Sequence, residues 1–330
     1  MILQPAVLTL LLISALGVAV LLAAAPFALQ VIRRWDLASG SELQLRLERR
    51  TYLFSTLVAF VMALQLAGIL LFVLNADRMA VQFPGAMCAV GTLNAGRFGF
   101  GALLGQVALF FLAGMWLTLN HADSLGRDYP LVRIKYALMV GLLLPAAAAV
   151  LALQWTYFSG LRAQTLTSCC GSLFAEGAGG LPGDLAALPP GPVRAAFFGC
   201  LALAVAAAWF LRRRGGYLTG LASAAAFAAT LAGITSFLSL YVYEHPHHHC
   251  PFCMLKAEFH HVGYALYVPL FLATAAGLGT AALQPFRRVP TLSAFVPALS
   301  VRLSRVAAAG FLLVLLVALG ILWRSHLILS

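Results

Sequence analysis

The run Leu8-Thr-Leu-Leu-Leu-Ile-Ser-Ala-Leu-Gly-Val-Ala-Val-Leu-Leu-Ala-Ala-Ala-Pro-Phe-Ala-Leu-Gln-Val-Ile32 holds 25 residues and no charged side chain. About 20 apolar residues in a helix cross the ~30 Å hydrocarbon layer of a bilayer. In that layer every backbone N–H and C=O must pair within its own segment, so the run reads as a spanning helix. Arg33 and Arg34 follow at once and mark its polar boundary. The same pattern returns over Tyr52–Leu74, Phe100–Leu119, Tyr136–Tyr157, Ala195–Leu211, Leu218–Tyr243, Val262–Leu283 and Val306–Trp323. Composition agrees: 62% of the 330 residues are hydrophobic and 9% charged, which excludes an ordinary soluble domain. The expected fold is therefore all-α: one polytopic transmembrane domain over residues 1–330, with about eight helices facing membrane lipid. The first helix is expected to be retained. Ala23–Ala25 before Pro26 offers a small-residue cleavage pattern, but Met1–Pro5 carries no positive charge and the arginines follow the apolar run.

Orientation is read from the basic residues. Fifteen of the 21 Lys and Arg fall on one set of loops, at Arg33–Arg50, Arg127–Lys135, Arg212–Arg214 and Arg287–Arg305. Arg78, Arg97, Arg162, Arg194, Lys256 and Arg324 fall on the other. The first set is assigned to the cytoplasm, which puts both termini outside. The net charge of +11 is then topology-setting, and nucleic acid is not its partner. Outer loops span about 75–99, 159–194 and 244–261. The second is rich in Gly and Pro, which predicts turns. On the inner side Ser41-Glu-Leu-Gln44 has capping-box spacing at the start of a helix extended beyond the membrane. Pro290–Arg305 reads as an interfacial segment.

Five of the six cysteines lie in those three outer loops: Cys88, Cys169, Cys170, Cys250 and Cys253. Cys250-Pro-Phe-Cys253 has the spacing of a closable dithiol. It is read just ahead of the seventh helix, where first-turn amides and Lys256 would favour a thiolate. Adjacent Cys169-Cys170 closes only a strained, easily reduced ring, which suits exchange. As thiolates the same two residues suit a soft metal. Cys88 makes the count odd and is read as a resolving thiol or a further ligand. Each cysteine also has a plain structural reading, as a loop-holding disulfide in an oxidising compartment, and connectivity is not legible. Cys200 falls inside the fifth helix and reads as packing.

Histidines crowd the same region, at His245, His247, His248, His249, His260 and His261. Two of these with a cysteine would suit copper or zinc, and Glu244 and Glu258 are placed to orient the rings. The alternative is a solvated polar loop. Met254 stands where a c-type haem site needs histidine after the second cysteine, so covalent haem is excluded. Gln65, Gln106 and Gln154 are the notable polar groups within the spans and are read as helix-to-helix hydrogen bonders. No charged residue falls near a span midplane, which argues against an ion pump.

Cys250-Pro-Phe-Cys-Met-Leu-Lys256, read as opening a membrane helix from the outer side, resembles the active-site start of DsbB-type and bacterial vitamin K epoxide reductase membrane thiol oxidoreductases. The likeness covers about ten residues. It implies that Cys250 and Cys253 are a quinone-proximal pair which receives electrons from an extracytoplasmic thiol protein through a second pair, in a bacterial inner membrane. Those families have a four-helix core and lack the histidines and the adjacent Cys169-Cys170, so no quinone site carries over. Two functional expectations follow: thiol–disulfide exchange at an outer-face cysteine cluster, or soft-metal (copper, zinc, mercury) binding or transport by the same cluster and its histidines. A structural subunit of a membrane complex is the third.

Overall fold

The computed structural model describes residues 2–36, 39–126, 128–162, 165, 167, 184 and 186–327. Within them the chain is helical with no strand. Eight helices are long and apolar enough to cross a membrane: α1 (Pro5–Arg34), α2 (Glu42–Gln82), α3 (Gly99–Leu125), α4 (Val132–Gly160), α5 (Pro190–Phe210), α6 (Gly216–Tyr243), α7 (Val262–Arg288) and α8 (Phe295–Arg324). Each covers one of the eight expected runs, with α5 stopping one residue short of Leu211. Most observed ends extend further because a hydropathy reading stops at charge while a helical backbone does not. Thus α2 begins at Glu42, where Ser41 Oγ accepts the Gln44 N–H at 3.3 Å. The Gln44 side chain accepts the Asp36 N–H at 3.2 Å. Phe295 to Arg305, expected along the interface, are the first turns of α8.

The chain clusters into two compact units. The first comprises residues 1–75, 95–163 and 285–299, hence α1, most of α2, α3 and α4. Lipid offers little hydrophobic drive for helix pairing, so packing and hydrogen bonds must hold such a unit. A closed belt of four donors provides the hydrogen bonds. Ser14 Oγ donates to Gln154 Oε1 (2.7 Å), and Gln154 Nε2 to Gln106 Oε1 (3.0 Å). Gln106 Nε2 donates to the Gln65 carbonyl (3.3 Å), and Gln65 Nε2 to the Ile13 carbonyl (3.3 Å), back on α1. The three glutamines thus bond helix to helix, as read from sequence. Gly17 admits the belt: a Cβ there would lie 2.5 Å from Gln65 Nε2.

At the α3–α4 turn the unit buries an ion pair, Lys135 Nζ to Asp123 Oδ2 at 2.7 Å, with side chains 1% and 0% exposed. Asp123 Oδ1 also accepts the Leu131 N–H at 2.7 Å, and Lys135 donates to Asn120 Oδ1 at 3.0 Å. The pair sits at the helix ends rather than at mid-span. In α4, Pro145 has no N–H to give Gly141, and the helix relaxes into a π turn over Met139–Leu143.

The second unit comprises residues 76–94, 164–284 and 300–330, hence the end of α2, α5, α6, α7 and most of α8. Its core is aromatic and small by turns. Phe197, Phe237, Leu266, Leu270 and Phe311 are fully buried, and the Phe197 and Phe237 rings meet edge-on at 5.4 Å. α6 and α7 pack backbone to backbone. A Cβ on Gly220 would lie 2.5 Å from Ala281 Cβ, and one on Gly277 would lie 2.0 Å from Ser223 Oγ. This close pairing carries the loop between α6 and α7, which holds most of the candidate residues.

Candidate functional site

The site forms within the second unit from the loops after α2 and after α6. In the first loop Gly85 has φ +85°, a conformation that costs other residues about 1–2 kcal/mol. The short helix Ala89–Asn94 follows, its first N–H taken by Asp77 Oδ1 at 3.2 Å. Cys88 lies at the junction and is fully buried. Thr167 is docked here: its N–H donates to the Pro84 carbonyl at 3.1 Å and its hydroxyl to the Gly91 carbonyl at 2.8 Å. A Cβ on Gly85 would come within 2.2 Å of the Thr167 oxygen, so glycine is required there on two counts.

The second loop leaves α6 through Glu244, in left-handed conformation with φ +51°. His245 and His248 then close a turn, the His248 N–H on the His245 carbonyl at 3.3 Å. The chain enters the Cys250-Pro-Phe-Cys253 segment between two tyrosines. The Tyr243 hydroxyl donates to the Cys250 carbonyl at 2.6 Å, and the Tyr267 hydroxyl to the Pro251 carbonyl at 2.8 Å. Consecutive carbonyls are thus clamped from the last residue of α6 and the second turn of α7. Phe259 packs edge-on against Tyr243 at 4.5 Å, and His248 stacks on it at 4.1 Å. Lys256 donates to the Met87 carbonyl and ties this loop to the first, beside Cys88.

The two loops bring three sulfurs together. Cys88 Sγ lies 3.3 Å from Cys250 Sγ, and the Sγ atoms of Cys88, Cys250 and Cys253 all lie within 4.8 Å of one another. Their exposures are 0%, 0% and 5%. Cys88 and Cys250 are 162 positions apart in sequence, yet Cys250 touches the sulfur of another loop while being paired by spacing with Cys253. Cys169 and Cys170 lie outside the described residues. Thr167, two positions before Cys169, is the last described residue ahead of them. Cys200 is a half-buried free thiol within α5.

One sequence expectation is corrected. The seventh helix begins at Val262, as expected, but Cys250–Cys253 do not lead directly into it: Cys253–Leu255 form a 3₁₀ turn and Ala257–Phe259 another. His260 and His261, both left-handed at φ +53° and +54°, separate the motif from the helix. The motif is therefore not the first turn of α7, although it folds back onto that turn: a Cβ on Gly263 would lie 2.8 Å from Met254 Cγ. Lys256 directs its charge to the Met87 carbonyl.

The histidines are drawn elsewhere. His249 Nδ1 donates to the Thr235 carbonyl at 3.0 Å, within the π turn Ile234–Leu238 of α6. Such a turn breaks the regular carbonyl pairing of the helix, and His249 supplies a donor. His261 Nδ1 donates to the Leu255 carbonyl at 2.7 Å, and His245 Nδ1 accepts the His247 N–H at 3.3 Å. His245, His247, His260 and His261 are exposed. Among the described residues, the one cluster of three or more His, Cys, Asp or Glu donors is the three sulfurs. Glu244 accepts the His326 N–H at 3.0 Å.

Tyr243, Tyr267 and Asp77 were not singled out from sequence. Tyrosine at a span end reads as a generic interfacial anchor, and nothing in its spacing marks a carbonyl clamp. Compared with family models, with curated proteins and with solved structures, the chain matches none.

Proposed function

We propose that this chain is a membrane thiol–disulfide oxidoreductase whose sulfurs Cys88, Cys250 and Cys253 form an internal exchange relay. The observation that carries the reading is the 3.3 Å contact between Cys88 Sγ and Cys250 Sγ, with Cys253 in the same 4.8 Å group. Exchange proceeds by thiolate attack on a disulfide sulfur, so a relay needs its sulfurs in contact. When Cys250 and Cys253 are bridged, the Cys88 thiolate attacks Cys250 Sγ. The Cys88–Cys250 bond forms, the Cys250–Cys253 bond breaks, and Cys253 leaves as thiolate. The electron count is unchanged, and the two disulfides interconvert without external oxidant.

Net oxidation needs an acceptor, and in this reading it is a membrane quinone: two thiols lose two electrons and two protons, giving a disulfide and a hydroquinone. Electrons enter from the dithiol of an extracytoplasmic protein. Because the three sulfurs are buried, Cys169-Cys170 is assigned the outward exchange with that protein, and Thr167 fastens the start of their segment to the Cys88 loop. The distribution of basic residues supports a topology with both termini and the cysteine loops outside, in a bacterial inner membrane.

The test is reoxidation of the reduced, purified chain by a soluble quinone in detergent, followed by thiol mass-tagging. Two thiols are lost per quinone reduced, and Cys253→Ser in cells accumulates mixed disulfides with an outer-face protein. Unchanged partner oxidation after replacement of all five loop cysteines would refute the proposal.

A further inference from the structure

We infer that, when reduced, the three sulfurs of Cys88, Cys250 and Cys253 form a soft-metal site that takes one Cu(I) ion in a sulfur-only, three-coordinate shell. A metal–thiolate bond of about 2.3 Å sets sulfurs about 4 Å apart around a trigonal plane. The cluster brackets that edge, with 3.3 Å as one separation and 4.8 Å as the upper bound. An ion would open the shortest edge by a fraction of an ångström and leave the loops in place.

Three features select the ion. The donors within the cluster are all sulfur, and thiolates favour Cu(I) over harder ions. A zinc site of structural type takes four ligands. Among the described residues the donor atoms within 4.8 Å of one another number three, with no imidazole or carboxylate to supply a fourth. The sulfurs are also buried, which disfavours an ion that keeps water in its shell. Lys256 brings positive charge to the carbonyl of Met87, the residue before Cys88.

The site is held in shape by groups that are not ligands. Tyr243 and Tyr267 fix the carbonyls of Cys250 and Pro251, and Lys256 fixes the residue before Cys88. Such supporting contacts orient donors before the ion arrives. The inference stands apart from thiol exchange, since it concerns the fully reduced cluster and needs neither quinone nor protein partner. It adds one consequence: a bound Cu(I) occupies the attacking and leaving sulfurs together, so metal and exchange exclude each other.

The test uses the full-length chain in detergent, with Cys169→Ser and Cys170→Ser removing the other dithiol, reduced with a phosphine and titrated anaerobically with Cu(I) against a chromophoric Cu(I) chelator. The expected result is one Cu(I) retained per chain, with an X-ray absorption shell of sulfur alone at about 2.3 Å. Cys88→Ser, Cys250→Ser and Cys253→Ser each weaken binding by about 100-fold or more, beyond the 10–100-fold typical of supporting residues. Cys200→Ser and His249→Ala leave it unchanged. Complete loss of copper to the chelator, or a wild-type shell containing nitrogen or oxygen, overturns the inference, and the spectrum needs no variant to fold. Equal binding by the serine variants overturns it too. Quinone-dependent thiol loss, measured on the same metal-free preparation, reports on the exchange reading separately.

Discussion

Tyr243→Phe and Tyr267→Phe remove one hydroxyl each from the clamp on Cys250 and Pro251, and their effect follows from the hydrogen bonds alone. The bonds are 2.6 and 2.8 Å long and end on adjacent carbonyls of one loop. Each contributes about 1 kcal/mol to holding that loop closed, which is about 5-fold in its opening equilibrium, since 1.4 kcal/mol is tenfold. If the two act independently, the double variant loses about 2 kcal/mol, or about 30-fold. Cys250 is fully buried, so a thiol reagent reaches it through the opened loop. Under reducing conditions its alkylation rate, followed by peptide mass spectrometry, is expected to rise about 5-fold in each single variant and about 30-fold in the double. The half-buried Cys200 on α5 serves as internal control and does not change. Equal Cys250 rates in wild type and double variant would refute the clamp, and a parallel rise at Cys200 would assign the effect to loosening of the whole unit.

Three further outcomes follow from packing and charge. Lys135→Met leaves the Asp123 carboxylate buried without its cation and is expected to cost about 3–5 kcal/mol, whereas adding Asp123→Asn, whose Oδ1 still accepts the Leu131 N–H, recovers part of that loss; denaturation in detergent checks both, and additive losses would contradict the pairing. Gln154→Leu strips the belt of its bonds to Ser14 and Gln106 and costs about 1–3 kcal/mol, read as a lower midpoint of unfolding; an unchanged midpoint would mean the belt does not hold α1, α3 and α4. Gly85→Ala meets both an unfavourable φ and the Thr167 oxygen, so the Thr167 hydrogen bonds are lost. The expected cost is about 2–4 kcal/mol, against about 1 kcal/mol for Thr167→Val; if the two substitutions cost the same, the close approach is wrong.

The spans were legible because the hydrocarbon layer imposes a length and a composition that Leu8–Ile32 and its seven counterparts meet. Their ends were less so. Arg302 and Arg305 interrupt the hydropathy of α8 without interrupting its hydrogen bonds, and Glu42 starts α2 well before its apolar stretch. The cysteines could be assigned to loops from topology, and the convergence of Cys88 with Cys250 and Cys253 accords with that reading. Which sulfur touches which was hidden, because contact across 162 positions depends on close packing of α6 on α7 and on a lysine reaching a carbonyl. The start of α7 at Val262 was legible, but the two short turns and two left-handed histidines between it and Cys253 were not, since sequence rarely announces that conformation outside glycine. Lys135, counted from sequence as a loop cation, is buried by a partner only twelve residues earlier, Asp123.

The relay is tested most directly by mapping disulfides after mild oxidation of membranes containing the Cys253→Ser variant, with digestion and mass spectrometry under non-reducing conditions. With Cys253 unable to bridge, Cys250 is expected to pair with Cys88 within one chain, giving a linked peptide that disappears in the further variant Cys88→Ser. Recovery of Cys88 and Cys250 only as separate peptides, or bridged between different chains, would contradict the contact on which exchange and metal capture both depend.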